Sequence, residues 1–227
     1  MDFIFDPSLV LYLPLYELDG ASFMSKDAYG HLCTVTGTLW TPRGRYFDGS
    51  DDWINCGNPA TLQFASADAF SILAWIKPDL LNYRVILSKM ETAGDYKGYM
   101  FNTGSLVAQG SDKLELVLRV ALNTNNIFIY SDDPISTDTW TMVGFTYDGS
   151  LTAAGVKLYG DGNILAYTIY HNNLTGELQN TTEDVLIGVR GTEKDYKGLM
   201  GELVVYNRAL TPLEIQHNYL ATKWRYR

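Results

Sequence analysis

Chemistry at a protein surface needs carboxylates, imidazoles, thiols or aromatic rings at definite spacings, and this chain holds few such groupings. Glu17 and Asp19 stand two apart, so an extended segment would put both carboxylates on one side, as a glycoside hydrolase does with its acid and nucleophile. The residues that follow, Gly20, Ala21 and Ser22, make this the edge of a turn instead. Asp132-Asp133 precedes Pro134, and adjacent side chains of a strand point to opposite faces, so that pair also reads as a turn. His31, His171 and His217 show no His-x-x-x-His spacing, the cysteines no Cys-x-x-Cys, and no Gly-x-Ser-x-Gly elbow occurs. No reaction is therefore written in the side chains, and His31 reads as a strand-start residue.

Binding chemistry is better represented. A hard cation needs several oxygens at once, and the turn Asp48-Gly49-Ser50-Asp51-Asp52 concentrates carboxylates, with Asp27 in the preceding loop Lys26-Asp27-Ala28-Tyr29-Gly30. Asp27, Asp48 and Asp51 are thus candidate calcium ligands, set against the ordinary role of turn aspartates in capping backbone amides. Sugar binding needs exposed ring faces flanked by groups that take hydroxyl hydrogen bonds. Trp53, Tyr83 and Tyr96 sit beside turns or in polar loops, and Asp95 precedes Tyr96 in Gly94-Asp95-Tyr96-Lys97-Gly98. Trp75 and Trp140 lie inside strand motifs and read as core.

These residues have to be carried by strands. Apolar runs recur at short intervals, fenced by Asp19-Gly20, Asp48-Gly49, Asp148-Gly149 and Gly160-Asp161-Gly162. They include Leu9 to Pro14, Phe70 to Lys77, Arg84 to Lys89, Lys113 to Val120, Thr141 to Tyr147, Ile164 to Tyr170 and Gly201 to Tyr206. Alternation in Lys113-Leu114-Glu115-Leu116-Val117-Leu118-Arg119 gives that strand one inward and one outward face. With no helical period between strands, the pattern predicts an antiparallel sandwich. One helix is expected from Thr211, with Pro212 at its first position and Glu214 completing a capping box; Leu213, Tyr219 and Leu220 would face the sandwich, and Trp224 and Tyr226 would pin the tail.

A chain of 227 residues suits one large all-β domain, expected to span 1–227. The net charge of -9 argues against a nucleic-acid partner, which needs clustered Lys and Arg. No run approaches the roughly 18 uncharged residues of a membrane span, so no membrane insertion is expected. Asp2 and Asp6 interrupt the apolar N-terminus and no basic region precedes it, so no signal peptide is read there. Asn-x-Thr sequons stand at Asn173 and Asn180. If 31–40 and 46–55 pair as a hairpin turning near Pro42 to Gly44, Cys33 and Cys56 come nearly opposite each other: either a cross-strand disulfide or two small buried thiols, as the redox compartment decides.

Several motifs in order resemble laminin G-like domains of the concanavalin A-like lectin/glucanase superfamily. They are Phe47-Asp48-Gly49-Ser50-Asp51-Asp52-Trp53-Ile54, Phe70-Ser71-Ile72-Leu73-Ala74-Trp75-Ile76-Lys77-Pro78, Trp140 to Gly149, Val156 to Gly162, Val185-Leu186-Ile187-Gly188 and Gly198 to Glu214. The resemblance spans about Leu11 to Trp224 and implies a jelly-roll sandwich of two antiparallel sheets, one concave, with ligands on the concave face or its rim loops. It implies a non-catalytic module for carbohydrate or a glycan-bearing surface, with partner domains in a larger protein. The alternatives are a structural or adhesion part of a virion or surface protein, and a polysaccharide-degrading enzyme. An extracellular or surface location follows from the same resemblance. Glucanases of this fold carry a Glu-x-Asp-x-Glu cluster, which this sequence lacks. Many relatives place a calcium-binding Asp in the last strand; that position here reads Gly201, with Glu202 beside it as the substitute ligand.

Overall fold

Leu114, Leu116 and Leu118 point inward from one strand and meet Ile72, Ala74 and Ile76 of another in a single buried core. Alternating side chains thus seal two antiparallel sheets face to face. The computed structural model describes residues 6–18, 20–104, 112–179, 182–191 and 194–227. Eight strands form the first sheet: β1 (Leu9–Leu13), β4 (Leu39–Thr41), β5 (Gly44–Asp48), β7 (Phe70–Leu80), β12 (Thr141–Tyr147), β13 (Val156–Gly160), β14 (Asn163–Leu165) and β17 (Lys197–Tyr206). Their order is β14-β13-β12-β7-β17-β5-β4, with β1 also paired to β17.

The second sheet has nine strands: β2 (Ser22–Met24), β3 (Leu32–Thr36), β6 (Trp53–Asn55), β8 (Arg84–Met90), β9 (Gly98–Thr103), β10 (Leu114–Ala121), β11 (Asn125–Ser131), β15 (Tyr167–Asn172) and β16 (Leu186–Ile187). Their order is β15-β11-β10-β9-β8-β16-β6-β3-β2. Rings lock the layers together. Phe70 of β7 lies 5.4 Å from Tyr99 of β9 and 5.3 Å from Phe145, and Phe101 of β9 lies 5.2 Å from Phe145 of β12.

Two expected elements are each divided between the sheets. The segment 31–55 is not one hairpin: β4 and β5 pair in the first sheet, while β3 and β6 pair in the second, with Thr34 opposite Asn55. The chain changes sheet at Gly37, whose φ of +74° is open to glycine and whose Cβ would fall 1.7 Å from an oxygen of buried Asp52. Cys33 and Cys56, one step beyond the Thr34–Asn55 pair, are buried free thiols with Sγ atoms 3.2 Å apart. Similarly, the expected strand Ile164 to Tyr170 breaks at Ala166, whose carbonyl accepts from the Asp132 amide. Leu165 pairs with Leu158 in the first sheet and Tyr167 with Ser131 in the second.

Helix α1 (Pro212–Thr222) opens on the expected capping box: Thr211 Oγ1 accepts from the Glu214 amide, and the Thr211 amide donates to Glu214 Oε2 at 2.7 Å. Arg208 grips both oxygens of Glu214 and also reaches Asp6, 2.7 Å away, which ties the N-terminal segment to the helix start. Of the stripe expected to face the sandwich, only Tyr219 is seated. Ile215 and Thr222 are buried with Tyr219 half-buried between them, at i, i+4 and i+7, whereas Leu213 is 76% exposed and Leu220 and Trp224 also face solvent. Thr222 accepts from Trp75 Nε1 at 2.8 Å, and Tyr226 stacks on Trp75 at 4.5 Å. Trp75 therefore belongs to a second apolar cluster outside the first sheet, covered by helix and tail.

Glu202 is enclosed in this cover. Burial pushes its carboxyl up to about 7, although Arg225 stands 3.4 Å away and opposes the shift. Between the ordinary carboxylate range and pH 7 the folded chain holds a proton that the unfolded chain has released, so this contribution to stability is present at low pH and lost as pH rises through 7. Glu202→Gln should remove that slope. Urea unfolding at pH 5 and pH 8 is expected to show wild-type stability falling relative to the variant by about 2–3 kcal/mol; parallel profiles would contradict the assignment.

Candidate ligand pocket and the acidic turn

Because Leu114, Leu116 and Leu118 face the core, Glu115, Val117 and Arg119 of β10 must face outward. On that outward face Val117 joins Met100 of β9, Phe128 of β11 and Val85 of β8 in a small apolar cluster. Above this floor opens a pocket of about 320 Å³, walled by Tyr83, Tyr96, Glu115, Arg119, Tyr170, Arg190 and Lys194, with Leu122 and Asn123 at the β10–β11 turn.

Loops hold the aromatic walls. Tyr83 follows β7 and precedes β8, and Tyr96 lies between β8 and β9; both backbones are left-handed, with φ of +51° and +53°. Bulky residues rarely adopt this conformation, and it commonly marks sites where geometry serves a ligand. Arg190 lies over the Tyr96 ring at 5.0 Å, and Lys194 lies over the Tyr83 ring at 5.1 Å. Tyr170 of β15 meets Phe128 edge-on at 5.1 Å and is about half-exposed. Burial raises the Tyr83 phenol, with Arg190 and Arg119 pulling the other way. Burial lowers the Arg119 guanidinium; Tyr83 and Glu115 offset this, and Arg190 adds to it.

The aromatic candidates from the sequence divide. Tyr83 and Tyr96 share the pocket, whereas Asp95 is exposed beside it and does not line it. Trp53 also lies outside it. Ile54 fills the core, so Trp53 points outward from β6, with β16 and β8 between it and β9. Glu115, Arg119 and Arg190 escaped sequence reasoning. For Glu115 and Arg119 the signal was the alternation in β10, which put two charges on one outward face without showing that neighbouring loops would bury them; Arg190 lies outside any strand pattern.

The four expected calcium ligands do not assemble. Asp27 spends Oδ2 on the Tyr12 amide and Oδ1 on the amides of Tyr29 and Gly30, a capping role. Glu202 sits on the outer face of the other sheet, near Tyr12, Tyr16 and Arg225. Gly201, the last-strand position, lies in the β17 bulge, where a Cβ would come 2.2 Å from the Tyr226 ring. Asp48 and Asp51 do converge, with Asp52, to within 4.8 Å. Asp48 Oδ1 accepts from the Ser50 amide and Asp52 Oδ2 from the Asp48 amide, and burial raises Asp52, with the charges of Asp48, Asp51 and Asp195 adding to the rise.

Glu17 pairs with Lys26 at 3.5 Å on the surface, and Asp19 and Asn180 lie outside the described residues. His31 precedes β3, its Nε2 2.9 Å from the Val10 carbonyl. A second cavity, of about 190 Å³, lies under the helix, but Arg225 crosses it, 3.7 Å above the Tyr16 ring and paired with Glu202. The chain's own cation thus covers that aromatic surface.

The family model of the concanavalin A-like lectin/glucanases superfamily, of laminin G type, matches residues 48–216. The chain belongs to this superfamily. Among curated proteins none matches it in sequence. Solved structures with the same fold include the binding domain of Paraclostridial Mosquitocidal Protein 1, at 14% identity and TM-score 0.68, covering 94% of this chain and 52% of that one. Another is from work on botulinum neurotoxin type C, whose cell entry depends on two ganglioside molecules; identity is 12%, TM-score 0.68, and coverage 94% and 51%. A third is Trypanosoma rangeli sialidase in complex with sialic acid, at 16% identity and TM-score 0.66, covering 98% of this chain and 34% of that one. The chain spans about half of the toxin domains and a third of the sialidase.

The superfamily member described here has no room for the last-strand aspartate. Gly201→Asp should displace Tyr226 from Trp75 and cost on the order of 2–3 kcal/mol, without creating calcium affinity. Thermal melts of variant and wild type, each with and without calcium, check both points: the calcium response of the two should be equal, and unchanged stability would show that the Tyr226 ring yields freely.

Proposed function

We propose that this domain is a non-catalytic binding module that takes carbohydrate, or a glycan-bearing surface, in the pocket on the outward face of the nine-stranded sheet. The observation that carries the reading is the pair of tyrosines, Tyr83 and Tyr96, held in left-handed backbone on two loops of one open pocket. The ring faces turned away from Arg190 and Lys194 supply stacking area, and Glu115, Asn123 and the cations beside them supply partners for hydroxyl groups. Among the described residues the lining has one carboxylate, Glu115, whereas glycosidic cleavage in its usual form takes two, which favours binding over turnover. The ganglioside dependence of the neurotoxin and the bound sialic acid of the sialidase are in keeping with glycan recognition, although both belong to much longer chains.

Calorimetry against a panel of oligosaccharides tests the reading. Asparagine tolerates positive φ, so Tyr96→Asn should weaken the best ligand about tenfold while leaving the melting temperature nearly unchanged. Failure of every polysaccharide and glycan to bind would overturn it.

The reading extends to a hard cation at Asp48, Asp51 and Asp52, whose converging charge a divalent ion would neutralise. Calcium should then raise the Tm by a few degrees, reversibly with chelator, and Asp51→Asn should abolish the rise. A Tm indifferent to calcium would remove the ion from the account.

A further inference from the structure

The pocket carries a charge pattern that a neutral sugar does not need. In a chain of net charge -9, the described lining residues gather three cations, Arg119, Arg190 and Lys194, around one carboxylate, Glu115. Arg190 and Lys194 are engaged by the Tyr96 and Tyr83 rings, and Glu115 Oε1 accepts from Asn102 Nδ2 at 3.1 Å. Arg119 is only 8% exposed, and its Nε has no hydrogen-bond partner among the described residues. A buried donor left without an acceptor costs about 1–3 kcal/mol, so a ligand that brings an acceptor to Arg119 in the pocket would relieve that cost.

Resting on the proposed sugar-binding role, we infer that the pocket selects an acidic sugar, whose carboxylate is taken by the Arg119 guanidinium while its ring lies against Tyr83 or Tyr96. A planar guanidinium offers a carboxylate two parallel donors, a geometry that ammonium groups lack. The surrounding apolar floor of Met100, Val117 and Phe128 strengthens such a contact by excluding water.

The test measures the affinity of the full chain for a uronic-acid oligosaccharide (oligogalacturonate), sialyllactose, a neutral cello-oligosaccharide and a sulfated galactan free of carboxylates. Binding to a carboxylate-bearing probe is expected, and reducing that carboxyl to an alcohol should weaken it about tenfold or more. Arg119→Gln should erase the preference for acid over alcohol, and Arg119→Lys should restore it in part. If Arg119→Gln fails to fold, the comparison of acid with reduced ligand on wild-type protein still decides. Equal affinity for neutral and acidic probes overturns this inference and leaves the sugar-binding reading standing, as does binding of the sulfated probe alone. Failure of all probes and of the wider panel overturns both.

Discussion

The contact on which the molecule turns is the aromatic seam between its two sheets. Phe70 reaches from β7 to Tyr99 and Phe64, and Phe145 meets Phe101 across the same gap. With these rings in place, no strand near them can slip by one residue without moving its apolar set into water. Register in β10 is therefore fixed by Leu114, Leu116 and Leu118, and the outward placement of Glu115, Val117 and Arg119 is a consequence of core packing. The pocket inherits its precision from a seam it does not touch.

The two outer faces are then put to different uses. That of the eight-stranded sheet is covered: Trp75 is stacked by Tyr226 and bonded to Thr222, and Glu202 is enclosed beside Arg225. That of the nine-stranded sheet has an apolar floor too, but it is walled by loop tyrosines and arginines around an open pocket. One face adds stability through its own helix, and the other keeps its surface available. The capping box at Thr211, which the sequence announced, and the Arg208–Glu214 pair, which it did not, keep the cover seated.

Legibility in the sequence followed how local each interaction is. The helix start could be read because Thr211, Pro212 and Glu214 act within one turn. Strand existence could be read from alternation, and the sandwich from the family motifs. The crossings at Gly37 and Ala166 could not, because an unbroken apolar pattern continues through a change of sheet when both halves still face the common core, as Leu165 and Tyr167 do. The calcium set failed for a similar reason: Asp27 and Glu202 are distinguished from Asp48 and Asp51 by what packs around them, the Tyr12 amide in one case and Tyr16 with Arg225 in the other. Of the pocket, its two loop tyrosines were visible, but the buried arginines required knowing which loops close over β10.

Arginine side-chain nuclear magnetic resonance gives the most direct test of this division of faces. Nε–Hε signals of Arg119 and Arg190 report the open face, and that of Arg225 reports the covered one. On titration with an acidic oligosaccharide, Arg119 and Arg190 should shift together and saturably while Arg225 stays fixed. Shifts confined to Arg225, or a titration that moves none of the three, would contradict the account.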